Sequence, residues 1–76
     1  MKVTVYSTPT CPWCDRVKDW LKEKKVKFEV KDVSEDQEAA MEMVAKSKQM
    51  GVPVIDVDGQ IVVGFDQARL KMLLKL

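Results

Sequence analysis

The chain begins its second residue with KVTVYSTPTCPWCDR, Lys2 to Arg16, and the reading of this stretch decides the fold. Lys2 to Ser7 is β-branched and aromatic, so it reads as a strand. Val3 and Val5 face one way, Thr4 and Tyr6 the other. A turn carrying both cysteines of the chain follows. A helix then runs from Pro12 to about Lys25, with Cys14, Val17 and Leu21 on one stripe and Trp13 and Trp20 beside it.

Working outward, VKFEV alternates, with Val26, Phe28 and Val30 on one face, and predicts a second strand. Strand, helix and strand with short joins imply a parallel, right-handed crossover. SEDQ predicts a second helix, with Ser34 as N-cap and Gln37 as its capping-box partner. Ala40, Met41, Val44 and Ala45 form its apolar stripe, and Gly51 marks its end. VPVIDV and QIVVG flank Asp58-Gly59, a two-residue hairpin signal that makes the last two strands antiparallel. Asp66 caps a final helix whose buried stripe is Leu70, Leu73 and Leu74. The order is β-α-β-α-β-β-α. It predicts an α/β fold in one domain, residues 1–76, with a four-stranded mixed sheet and helices on both faces.

Composition narrows the function. Seventy-six residues with 46% apolar and 33% charged side chains suit one globular domain. Such a short chain buries only about 60% of its unfolded surface, so stability is marginal. A net charge of +1 gives no field to gather nucleic acid. No apolar run approaches the ~18 residues of a membrane span, and no signal-peptide core is visible near the N-terminus. The expected location is the cytoplasm, where thiols are kept reduced. Lys22, Lys24, Lys25 and Lys27 read as a solvated face. Asp15 and Asp19 alternate with Arg16 and Lys18 as surface ion pairs do. Met41, Met43, Met50 and Met72 read as core filler.

Three uses of the cysteines compete. A structural zinc site wants four ligands, usually Cys or His; this chain has two cysteines and no histidine, so no metal site is expected. Cys14 suits a small buried hydrophobe, but Cys11 sits at the strand-to-helix junction, with Pro12 fitting the first helical position. There its sulfur faces the free N–H groups of the first turn, of which Pro12 removes one and leaves those of Trp13 and Cys14. A free thiol has a pKa near 8.5. A helix end favours an anion by about 0.3–1 kcal/mol when exposed, against about 1.36 kcal/mol per pKa unit. The dipole is therefore worth at most one unit, and N–H bonds to sulfur must add the rest. A bridge over two residues removes little chain entropy, so it staples weakly. The redox reading has Cys11 attacking a substrate disulfide and Cys14, one turn deeper, resolving the mixed disulfide.

VYSTPTCPWC, GVPVI and VVGFD together resemble the glutaredoxin family of the thioredoxin-fold superfamily, over nearly the whole chain. The resemblance implies a minimal thioredoxin-like fold and a dithiol oxidoreductase that reduces protein disulfides and glutathione mixed disulfides. Glutathione is then the cosubstrate that recharges it, with no bound cofactor. It also implies a cis Val52-Pro53 bond facing the cysteines, with the backbone of Val52 free to pair with an extended substrate. Gly64, Phe65 and Asp66 would hold the γ-glutamyl end of glutathione, and Gln49 its glycine carboxylate. Trp13 would contact substrate, and Thr8 and Pro12 shape the active-site turn.

Some positions depart from the family pattern. Thr8 stands where Lys is common, Val63-Gly64 where a glycine pair is, and Gly51 where Thr is. The short length resembles a sister branch fed by thioredoxin reductase that often serves ribonucleotide reductase, though CPWC is not typical of that branch. A third possibility is a glutathione-ligated iron–sulfur cluster shared by two chains through Cys11, against which Pro12 counts. The protein is expected to be a monomer.

Overall fold

A computed structural model describes residues 2–76. The elements are β1 (Val3–Ser7), α1 (Pro12–Glu23), β2 (Glu29–Asp32), α2 (Gln37–Ser47), β3 (Val54–Val57), β4 (Gln60–Val63) and α3 (Gln67–Leu74). The strands form one sheet in the order β2-β1-β3-β4. β1 runs parallel to β2 and antiparallel to β3, and β3 is antiparallel to β4. This is the mixed sheet that the sequence predicts.

β1 is central and all five of its residues are buried. Its alternation divides the core. Val3 and Val5 join Val17 and Leu21 of α1, Ile55, Val57 and Val62 of the hairpin, and Leu70 and Leu74 of α3. On the other face Tyr6 meets Ala39 and Met43 of α2 and Val54 of β3. Helices thus cover both faces, two on one and one on the other. The hairpin turn is as predicted: Asp58 (φ 50°) and Gly59 (φ 90°) are both left-handed, which a two-residue turn between twisted strands requires. Asp56 Oδ1 accepts from the Gly59 N–H at 2.7 Å and fixes it.

Four expectations need correction. The N-cap of α2 is Asp36, whose carboxylate accepts from the Ala39 N–H. Ser34 donates its N–H and hydroxyl to Asp32 instead, a local turn that competes with helix entry and delays it by two residues. The helix ends at Lys48 in the left-handed conformation (φ 63°), before Gly51. The first helix likewise stops at Glu23, because Lys25 turns left-handed (φ 60°) to feed β2. At the sheet's edge Val30 stays 44% exposed although it lies on the predicted face.

The largest difference is the facing of α2. Ala39 and Met43 go inward, whereas Met41 is 72% exposed and Ala40, Val44, Ala45 and Met50 form an apolar surface with it. Only Met43 among the four named methionines fills core; Met50 and Met72 are exposed. The reason is a polar network beneath the inward face. Tyr6 donates to Glu42 Oε1 at 2.6 Å, and Lys46 bridges Glu42 (3.2 Å), Tyr6 Oη (3.2 Å) and Asp56 Oδ2 (2.7 Å). Lys31 reaches Glu42 from β2 at 3.3 Å. Rotating the Met41 stripe inward would strip Asp56, which is 8% exposed, of its cation, and a buried charge without a partner is costly.

The network titrates. The Tyr6 hydroxyl and Lys46 hold Glu42 well below the carboxylate range, to about 2. Asp56, its principal partner, raises Lys46 above the ordinary lysine range. A depressed carboxylate contributes stability above its unfolded pKa, near 4.3, that is lost as pH falls toward its folded value. The thermal midpoint should therefore decline from about pH 5 toward pH 2, and Glu42→Gln should flatten part of that decline. Calorimetry across this range checks it; an equally steep decline in the variant would remove Glu42 from the cause.

Candidate active site

Cys11 occupies the N-cap of α1 with extended backbone (φ −110°, ψ 102°), so its carbonyl begins the helix while its side chain folds over the first turn. The Cys14 N–H donates to Cys11 Sγ at 3.0 Å. Pro12 takes the first helical position, as expected. Of the two donors anticipated, Cys14 supplies the bond to sulfur. Cys11 and Cys14 are joined in a disulfide with their Cα atoms 5.2 Å apart. Cys11 keeps 9% of its surface and Cys14 none. Cys14 lies on the inward stripe with Val17 and Leu21, so helix packing sets how deep it sits.

Two further loops reach the same end of the sheet. The Val52-Pro53 bond is cis, and the Gly64 N–H donates to the Pro53 carbonyl at 2.8 Å, tying the loop before β3 to the loop after β4. Gly64 sits at φ 80°, a conformation that L side chains rarely adopt. Among the described residues, neither backbone group of Val52 makes a hydrogen bond. Trp13, Val52, Pro53, Gly64 and Phe65 line an open hollow of about 290 Å3, and none of these side chains is charged. Phe65 also meets Trp20 edge to face, with ring centroids 5.9 Å apart. That contact ties the hollow to the core over α1 and α3.

The remaining candidates do not line the hollow. Asp66 caps α3, accepting from the Arg69 N–H at 3.1 Å. Gln49 folds onto its own loop: its amide donates to the Gly51 carbonyl (2.9 Å) and to Ser47 Oγ (3.2 Å), and accepts from the Gly51 N–H (2.6 Å). A Cβ at Gly51 would stand 2.8 Å from Gln49 Oε1, so another residue there would make the end of this flexible amide shift. Thr8 is half-buried ahead of the turn, and Pro12 is exposed. The sequence reading missed that Arg16 stacks over Trp13, 4.7 Å from the ring centroid. Their spacing of three on a helix start is the signal that predicts it.

The sequence model of the glutaredoxin family, described as "Glutaredoxin", matches residues 3–62. A curated relative from Clostridium pasteurianum, an uncharacterized glutaredoxin-like 8.6 kDa protein in the rubredoxin operon, is 47% identical over 73 residues, covering 96% of this chain and 97% of that protein. Among solved structures, a mutant of the thioredoxin-like protein BC3987 superposes with a TM-score of 0.91 at 34% identity, covering 96% and 94% of the two chains. The glutaredoxin-like NrdH-redoxin of Escherichia coli gives 0.82 at 25% identity, covering 100% and 95%.

The burial difference orders the thiols. After reduction, iodoacetamide should label Cys11 first and leave Cys14 protected in the folded protein, read by peptide mass spectrometry. Equal labelling, or labelling of Cys14 first, would reverse the assignment of the outer sulfur.

Proposed function

The chain belongs to the glutaredoxin family, and from that premise we propose that it is a dithiol thiol–disulfide oxidoreductase acting chiefly on protein disulfides, with glutathione mixed disulfides as further substrates. The observation that carries this is Cys11 Sγ accepting from the Cys14 N–H in the first turn of α1, beside a hollow whose wall includes the unpaired backbone of Val52. An extended substrate segment can pair with that backbone as an added strand does, bringing its disulfide to Cys11.

The chemistry balances in two exchanges. The Cys11 thiolate attacks one substrate sulfur; the substrate bond breaks, and its other sulfur leaves and takes a proton. Cys14 then gives up its proton and attacks Cys11 Sγ. This frees the second substrate thiol and leaves the Cys11–Cys14 bond. Two electrons have passed to the substrate, and either one dithiol or two monothiol molecules must return two electrons and two protons.

The resemblance in sequence makes glutathione that reductant. Two observations favour a flavoprotein of the thioredoxin-reductase kind instead. Gln49, the residue expected at a glutathione carboxylate, has its amide engaged with Ser47 and Gly51. The chain also aligns end to end with NrdH-redoxin, a glutaredoxin-like protein whose activity profile is described as thioredoxin-like. A reducing compartment such as the cytoplasm suits either donor.

NADPH consumption with a protein disulfide as oxidant should be supported by thioredoxin reductase alone more strongly than by glutathione with glutathione reductase. The reverse would return the chain to glutathione, and no turnover with either would overturn the proposed activity. Cys11→Ser should abolish turnover, and Cys14→Ser should accumulate a mixed disulfide visible by intact mass.

A further inference from the structure

Arg16 is held where the wall of the hollow begins. Its guanidinium lies 4.7 Å from the centroid of the Trp13 ring, and Trp13, 55% exposed, lines the hollow two residues after Cys11. The neighbouring carboxylate Asp15 pairs with Lys18 at 3.3 Å, and Arg16 forms no ion pair among the described residues. A guanidinium over a ring with no carboxylate partner of its own keeps N–H donors free for one. The lining of the hollow is uncharged and the net charge of the protein is +1, so neither sorts substrates by charge.

We propose that Arg16, presented by the Trp13 ring, is a specificity residue that binds a carboxylate carried beside the substrate disulfide, so that the protein selects disulfide segments with acidic flanks. This rests on the proposed oxidoreductase activity and adds its substrate class. The Arg16 guanidinium also offsets the repulsion that an acidic segment meets on approaching the Cys11 thiolate, a task suited to a cation next to the site. Acidic protein segments and the carboxylates of glutathione share this chemistry. The uncharged wall and the free Val52 backbone favour the protein segment.

The test uses two matched disulfide-linked peptides, with Glu or Gln beside the cysteine, and glutathione disulfide as a third oxidant. The second-order rate of oxidation of the reduced protein is measured by stopped-flow tryptophan fluorescence. An exposed ion pair predicts a Glu-over-Gln ratio of roughly three- to fivefold at low salt, falling with ionic strength. Arg16→Gln should bring the ratio close to one, and Arg16→Lys should retain part of it. If only glutathione disulfide slows in Arg16→Gln, the carboxylate is glutathione's and the protein-segment assignment is overturned. If Arg16 merely packs against Trp13, Arg16→Gln slows both peptides alike and leaves their ratio intact, which overturns the inference. Equal rates for the two peptides with the unaltered protein overturn it too, while leaving the oxidoreductase reading standing. Failure to oxidise with any of the three would instead remove the activity itself.

Discussion

The structure depends on one junction, where the chain leaves the middle of the sheet and Cys11 caps α1 with sulfur. β1 is buried on both faces between β2 and β3, so its end is fixed in position. Val17 and Leu21 fix the roll of α1 against the same core. With strand and helix both held, the residue between them has little choice of direction. Its side chain must lie over the free N–H groups of the first turn, because extended backbone at an N-cap points it there. Pro12 sets the entry angle and removes one donor. A hydroxyl or carboxylate at this position would satisfy the cap at least as well. Sulfur there is a poor choice for stability and a good one for chemistry.

Around this junction the sequence was legible wherever local chemistry and burial agree. The alternation of β1, the Cys14-Val17-Leu21 stripe, the Asp58-Gly59 turn and the Asp66 cap all appear as read. It was not legible in α2, where apolarity and burial disagree. The more apolar stripe, Met41 and Val44, faces outward, and a less apolar face of Ala39 and Met43 packs on Tyr6. Periodicity ranks faces by hydrophobicity alone. Here the outcome is set by Glu42 and Lys46, which flank Met43 and must reach Tyr6 and Asp56 on the sheet. A buried acid on a strand and a lysine one helix away are ordinary residues in a sequence. Their pairing exists only once the fold brings them together.

The site shows the same division. The two cysteines and their depths follow from spacing, but the hollow is assembled by the start of α1 and two loops far apart in sequence. Their closure rests on single contacts such as Gly64 N–H to Pro53 O and Trp20 to Phe65. Family resemblance pointed to Val52, Pro53, Gly64 and Phe65, which line the hollow with Trp13. It could not foresee Gln49 folding back, since that depends on local bonds to Ser47 and Gly51. The residues a motif transfers are those whose backbone the fold dictates; a flexible amide answers to its neighbours.

The sulfur cap also limits the kind of redox protein this scaffold can be. The Cys14 N–H bond to Cys11 strengthens when the acceptor becomes a thiolate, so the cap stabilises the reduced form more than the disulfide. Each added donor would raise the thiolate fraction and speed attack, yet it would also hold electrons more tightly and weaken the protein as a reductant. With Pro12 in place, a single N–H reaches the sulfur among the described residues, and no lysine stands at position 8. Both features limit the donors and cations that face the sulfur. A thiolate held by fewer donors binds its electrons less tightly.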